Sequence, residues 1–356
     1  QVSAYLQSAT LIQNPTELSN LFLESKKDPS GQWMQAFHVA PIDLTSIQNY
    51  AVNALNDPSL TRQERHQIIR QIEHIFSVAT VCSGNYPQRP KPSPFGRTYY
   101  TGLSVQNVSK TLRRAMLGDC WEYDMSSCAI AWKMGFARDY INLNAIGSSV
   151  QQEFPALLNF LTAKAALYGR IRASLYPNAP ASEHADQIRQ LKTAFTAIGF
   201  GARKSSTGYW YDATGELQVN ALFDLFDRNE TAYQAFISCS DVVGFIAENN
   251  KLDTFIFDWI KQTNPQLLNN PAVRTAKRAS QSKVLAFYFQ HGESRVMNMV
   301  NDHVEQLGHR VLARIHDAII LRGQLDSADK LKIEQSIQSA TQNPYWRLDE
   351  KQLLGF

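Results

Sequence analysis

The chain has 356 residues, with 44% hydrophobic and 11% aromatic residues and a formal net charge of +3. That is length for about two or three packed lobes with a real core. No apolar run reaches the roughly 18 residues of a membrane span, and no basic-then-apolar leader opens the chain, so no membrane partner is expected. The four cysteines (Cys82, Cys120, Cys128, Cys239) show no CxxC pair and no zinc spacing, and read as reduced thiols of a cytoplasmic protein.

In chain order, residues 1–80 read as helical, with apolar positions at helical spacing in Leu18–Leu23 and Ile68–Phe76 and with Pro15, Pro41 and Pro58 as punctuation. Gly84–Pro94, GNYPQRPKPSP, reads as a proline-rich extended connector and a domain boundary. Charge is uneven here. Between Arg62 and Arg114 nine Lys/Arg face two Glu (Glu64, Glu73), a local excess of 9 − 2 = +7, and Tyr86, Phe95, Tyr99 and Tyr100 are interleaved. Such a mixture suits a surface that tracks a phosphate backbone and stacks on bases, or else a solvated helix face and loop.

Within SPFGRTYYTGLSVQN, Gly96 and Arg97 would let backbone and guanidinium approach a phosphate. Gln106 and Asn107 offer donors and acceptors to nucleic-acid edges or sugars. Arg113 and Arg114 precede an expected strand, Trp121–Met125, which carries Asp124, and the small Ser126, Ser127 and Ala129 leave space beside it. Ala129–Tyr140 and Phe154–Leu175 read as helices, and a third begins near Glu183 with Ser182 as its N-cap. One face of that third helix carries Ile188, Leu191, Phe195 and Ile198. Arg189, Lys192, Thr196 and Arg203 fall on the other, running into Phe200 and Gly201. This cationic stripe could hold a triphosphate, with Phe200 against the sugar; a solvated basic face with a glycine C-cap is the plainer alternative. Gln218–Lys261 reads as helical, with its aromatics in a core and Asp224, Asp227 and Asp241 solvated or capping. Thr275–Lys283 is a basic stretch, and a helix over Glu293–Leu307 ends at Gly308. Val311–Ile315 and Ala318–Leu321 form a tight β-hairpin around His316 and Asp317, followed by a last helix, Lys330–Ala340.

An aspartate among such apolar strands needs a partner or a metal, because an unpaired buried carboxylate is very costly. Alone, Asp317 could equally be a turn residue. With Asp124, a second strand-borne carboxylate, it could share a pair of Mg²⁺ ions, the minimum apparatus for nucleotidyl transfer.

Taken together, SPFGR, the strand ending in Asp124, KTAFTAIGFG (Lys192–Gly201) and His316-Asp317 resemble, in order, four motifs of one superfamily. It joins the single-subunit RNA polymerases of phages and mitochondria to the family A DNA polymerases. The resemblance runs from about Ser93 to Leu321. It implies an α+β, mostly helical right hand: a thumb-like segment at 1–92, a palm with a small antiparallel sheet at 93–140 and 285–356, and helical fingers at 141–284. It also implies that Asp124 and Asp317, helped by the Met125 carbonyl, bind two Mg²⁺ ions. Lys192 would neutralise phosphate charge or protonate pyrophosphate, Arg97 would hold template or product, and His316 would orient the hairpin or touch the primer end.

Three departures stand out. The family's finger-helix Arg lies where this chain has Ile188, with Arg189 one place on; its Tyr is Phe200 here; and about 92 residues before SPFGR are too few for a thumb plus a promoter-binding domain. The last suggests a stripped-down, phage-like enzyme acting in a bacterial host cell, with a second polypeptide or a single-stranded-DNA-binding factor for initiation. DNA polymerases of the superfamily carry Glu five residues after the first Asp, where this chain has Ala129, and tend to read His-Asp-Glu where it reads His316-Asp317-Ala318. Both features favour NTPs, a DNA template and an RNA product. Phe200, and the compact spacing of 68 residues from Asp124 to Lys192 and 125 from Lys192 to Asp317, keep a DNA polymerase lacking proofreading as the alternative. A non-catalytic nucleic-acid-binding module is the third reading.

Overall fold

A computed structural model describes residues 38–202, 204–212, 214–274 and 279–356. The Leu18–Leu23 helix, Arg203 and part of the Thr275–Lys283 stretch lie outside the described residues. The chain is α+β and mostly helical, with three small antiparallel sheets among the described residues. The described residues divide into two compact units: those within 38–125, 294–333 and 348–356 form the first, and those within 126–293 and 334–347 the second. The division of roles into thumb, palm and fingers stays a proposal.

In the first unit, β1 (His38–Pro41) precedes two helices, Leu44–Asn56 and Arg62–Val81. The second of these opens on a capping box in which Thr61 and Glu64 satisfy each other's backbone N–H. The stretch expected to be helical throughout thus contains a strand. The expected connector is a strand as well. β2 (Asn85–Pro92) lies between β1 and β3 (Thr98–Thr101). β1 pairs with Asn85–Gln88 and β3 with Arg89–Pro92, so each half of β2 has one partner and one open edge. An open edge is where a strand tolerates prolines, which lack the N–H that a second partner would need.

The second sheet of this unit has the order β7-β8-β4-β9 (Val311–Ile315, Ala318–Leu321, Cys120–Met125 and Leu348–Leu353). β4, the carrier of Asp124, is central, and β8 is buried at all four positions. Tyr123 points into the core, where its hydroxyl accepts the Leu325 N–H at 2.7 Å. Alternation along the strand therefore turns Asp124 to the opposite face. Arg113 and Arg114 lie in a short helix, Lys110–Leu117, rather than in a plain approach to β4.

In the second unit the expected Ala129–Tyr140 helix is two, Cys128–Met134 and Ala137–Leu143, separated at Gly135. Phe154–Leu175 also divides, into Pro155–Thr162 and Lys164–Leu175. The helix expected from about Glu183 runs His184–Gly199. Ser182 is not its N-cap: it sits in a 3-10 turn, Ala181–Glu183, and the Glu183 N–H bonds the Pro180 carbonyl at 3.0 Å instead. The hairpin β5–β6 (Tyr209–Tyr211, Leu217–Val219) overlaps the start of the stretch expected to be helical only at Gln218 and Val219, and the helices Ala221–Leu225, Glu230–Ser238 and Ser240–Thr263 follow as expected. Aromatic rings build the core as the sequence suggested. Phe195 stacks on Phe160 with centroids 5.3 Å apart and meets Phe245 edge-on at 4.8 Å. Asp224 and Asp241 pair with Arg228 (2.9 Å) and Arg170 (3.5 Å) at the surface.

Candidate functional site

The first unit brings Asp124 and the Asp317 turn together. Asp124 stands opposite Ala318 in the β4–β8 register, and the Met125 N–H donates to the Asp317 carbonyl at 2.9 Å. Both aspartates are half-buried. The turn is held by His316 in the left-handed region, with φ +53°. A non-glycine residue there costs on the order of 1–2 kcal/mol, which the two flanking strands must offset. The His316 ring lies edge-on to Tyr99, with centroids 5.2 Å apart, and its Nδ1 is buried without a partner among the described residues. Burial lowers its pKa, Arg97 and Arg113 add to the effect, and Asp317 opposes it.

Sequence reasoning missed Asp349, which faces Asp124 across the β4–β9 ladder. Directly opposed residues put their side chains on one face of a sheet, so a second carboxylate stands beside Asp124. The signal was faint: Leu348–Leu353 is apolar only at its two ends. Asp124, Asp317 and Asp349 do not form a three-ligand group within 4.8 Å among the described residues. As a donor set, Asp124 on β4 and Asp317 in the adjoining β7–β8 turn offer hard carboxylate oxygens, which suits Mg²⁺.

The remaining basic and amide candidates of this unit mostly serve its loops. Gly96 has φ +87° in the β2–β3 turn, and its carbonyl accepts from the Ser294 hydroxyl at 3.2 Å. Both Asn107 amide hydrogens go to backbone carbonyls, of Tyr100 (2.8 Å) and Gly102 (3.0 Å). The Gln106 amide donates to the Thr98 carbonyl at 3.2 Å, leaving its Oε1 buried and unpartnered among the described residues. Arg113 donates to the Val105 and Gln106 carbonyls at 2.7 and 3.1 Å. Arg114 donates to the Leu354 carbonyl at 2.7 Å and lies over the Phe356 ring. Arg89, Lys91 and Lys110 are exposed.

In the second unit, Ala129, Phe200 and Gly201 line one cavity of about 500 Å³. Lys192 and Arg189 are on the exposed face of their helix and outside that lining, and Arg189 pairs with Asp186 at 2.9 Å. Gly201 has φ +93° and closes the helix. Phe200 is 49% exposed, its ring edge-on to Phe289 at 5.5 Å. Two lysines were passed over in the sequence. Lys164 donates to Ser127 Oγ at 2.9 Å, and Lys133 is buried beside the cavity. A lone lysine inside the apolar run AIAWKMGF was a readable signal for the second.

The class defined by these observations is an α+β, mostly helical chain with a carboxylate-bearing antiparallel sheet in one unit and a helix-lined cavity in the other. No protein-family model matches it, and no curated protein sequence does. Among solved structures it is similar to the POL domain of Pol1 from M. smegmatis in complex with DNA primer-template and dNTP, with a TM-score of 0.48 and 12% identity. The alignment covers 100% of this chain and 64% of that one, so the chain spans less than two thirds of that structure's length. Among the described residues no helix is long and apolar enough to cross a membrane.

Proposed function

We propose that the chain is a template-directed nucleotidyltransferase of right-hand form that joins nucleotides to a 3′-OH with release of pyrophosphate. Its finer assignment is a DNA-directed RNA polymerase acting on a DNA template, with NTPs as substrates. The observation that supports this most is the register that sets Asp124 beside the Asp317 turn, closed by the hydrogen bond from the Met125 N–H to the Asp317 carbonyl. Asp124 and Asp317 would hold two Mg²⁺ ions, with the Met125 carbonyl as a further oxygen donor. Bound there, the ions would supply Lewis acidity at the attacking hydroxyl and charge neutralisation at the leaving pyrophosphate.

The chain's own residues do the rest. The central β4 carries Asp124, and the two-residue turn between β7 and the buried β8 carries Asp317, so both carboxylates are held by a rigid sheet and little reorganisation is needed when charge develops. Tyr99 and the left-handed backbone at His316 set the angle of the turn that carries Asp317. Lys192 and Arg189, on an exposed helix face, would receive a triphosphate. Exposed Arg89, Lys91 and Lys110 would contact the nucleic-acid backbone. Ala129 beside Phe200 in the same cavity supports ribose tolerance, because the side chain at position 129 is a methyl group rather than a carboxylate that would exclude a 2′-OH.

The test is primer extension on a DNA template with Mg²⁺ and either NTPs or dNTPs. Extension with NTPs in preference to dNTPs is expected. Use of dNTPs alone would replace this reading with a DNA polymerase lacking proofreading. Template binding without extension by either would leave a non-catalytic module, and initiation on a promoter in duplex DNA by the chain alone would remove the need for a second polypeptide.

A further inference from the structure

Inside the second unit, side chains from two helices grip the end of a third. Lys133, in Cys128–Met134, is 4% exposed. Its ammonium donates to the Gly199 carbonyl at 2.7 Å and to Asn249 Oδ1 at 2.8 Å, and forms an ion pair with the Asp253 carboxylate at 2.5 Å. Asn249 and Asp253 stand one turn apart on Ser240–Thr263, both buried. The Asn249 amide then donates to the Ile198 carbonyl at 3.3 Å and to the other Asp253 oxygen at 3.2 Å. The last two carbonyls of the His184–Gly199 helix are therefore held by a cation and an amide. That end of a helix is its negative pole, so a cation there is electrostatically matched.

Stability alone is a poor reason for such a cluster. Burial pushes the Asp253 carboxyl up and the Lys133 ammonium down, while each partner opposes the other's shift. A buried ion pair can commonly be replaced by apolar residues of similar volume with no loss of stability, whereas removing one partner alone is severe. What the cluster does supply is a fixed position for the two residues that follow it. Phe200 and Gly201 line the same cavity as Lys133, Asp253 and Ala129. The Gly199 carbonyl that Lys133 holds belongs to the peptide bond leading into Phe200. Rotation of that peptide, which would swing the Phe200 ring, must break the bond to Lys133.

We infer that Lys133, Asn249 and Asp253 are positioning residues that fix Phe200–Gly201 and so set the enzyme's choice between ribose and deoxyribose, an inference that rests on the proposed function. None of the three needs to touch the nucleotide. They act through the helix end.

The experiment uses the full chain with Lys133→Met, Lys133→Met/Asp253→Leu and Asn249→Ser, reading thermal unfolding together with kcat and KM for NTP and dNTP on a primed template. Lys133→Met alone is expected to unfold at lower temperature or to fail to fold, because it strands a buried carboxylate. The double variant is expected to regain the wild-type melting temperature while its NTP-over-dNTP ratio of kcat/KM shifts at least tenfold, chiefly through KM. Asn249→Ser keeps the ion pair and loses the reach to Ile198, and a smaller shift in the same direction is expected. A stable double variant with the wild-type ratio would overturn the inference, as would an unaltered ratio in Asn249→Ser if the double variant does not fold. Absence of extension by the unmodified protein would instead overturn the proposed function, and this inference with it.

Discussion

Gly199 and Gly201 lie two residues apart in the GFG segment that ends the His184–Gly199 helix, and replacing each with alanine should move stability in opposite directions. Gly201 has φ +93°, and a Cβ there would meet only Ser282 Cβ at 3.9 Å, an ordinary contact. Its penalty is thus backbone strain alone, about 1–2 kcal/mol. Gly199 is helical, and a Cβ there would meet Ile130 Cδ1 at 3.4 Å, close but without a clash. Alanine in place of a helical glycine gains about 0.5–1 kcal/mol. In a cooperative unit of 150–250 residues each kcal/mol shifts the melting temperature by roughly 2–4 °C. Differential scanning calorimetry should therefore find Gly201→Ala lower by about 2–8 °C and Gly199→Ala level or slightly higher. A Gly199→Ala variant less stable than Gly201→Ala would refute the reasoning, and would mean that the Ile130 contact, not the backbone, rules this helix end.

Three further outcomes are expected. The pKa of His316 is lowered on folding, so as pH falls through its unfolded value of about 6.5 the unfolded chain binds the proton first and stability declines. His316→Asn, which tolerates the left-handed turn, should flatten the fall of melting temperature between about pH 7.5 and 5.5; His38, lowered by burial and by Arg314, would carry part of the remaining slope. Binding of a single-stranded DNA oligonucleotide should weaken linearly in log–log salt titrations, and Arg89→Gln or Lys91→Gln should each reduce the slope by about 0.7 if that residue contacts a phosphate. Phe200→Tyr should sharpen the preference for NTPs in competition assays, since a site that hydrogen-bonds a hydroxyl rejects its absence more strongly than one that tolerates it. On the proposed function, Ala129→Glu should move nucleotide use towards dNTPs or abolish extension.

The parts of the fold legible in the sequence were those whose pattern is local. The Val311–Leu321 hairpin has dense β-branched residues on either side of a two-residue turn, and the strands fall at Val311–Ile315 and Ala318–Leu321 as read. The apolar stripe of the His184–Gly199 helix is likewise buried at Leu191, Phe195 and Ile198. Long-range pairing hid the rest. Asn85–Pro92 looked like a connector because three prolines obscure a strand whose two halves each find a different neighbour. Leu348–Leu353 has no alternation to betray that it pairs with β4, so Asp349 could not be placed beside Asp124 from sequence. Asn107, Arg113 and Arg114 carry groups that could read nucleic acid, and only the fold reveals that their donors bond backbone carbonyls.

The central claim is that Asp124 and Asp317 together carry phosphoryl-transfer chemistry. Single-turnover extension of a primed DNA template with Mg²⁺ and NTPs tests it, comparing the unmodified chain with Asp124→Asn and Asp317→Asn, with circular dichroism and template binding as controls. Each substitution keeps side-chain volume and removes a charged oxygen donor, so folding and binding should survive while the extension rate falls by several orders of magnitude. Near-normal extension by either folded variant would contradict the assignment.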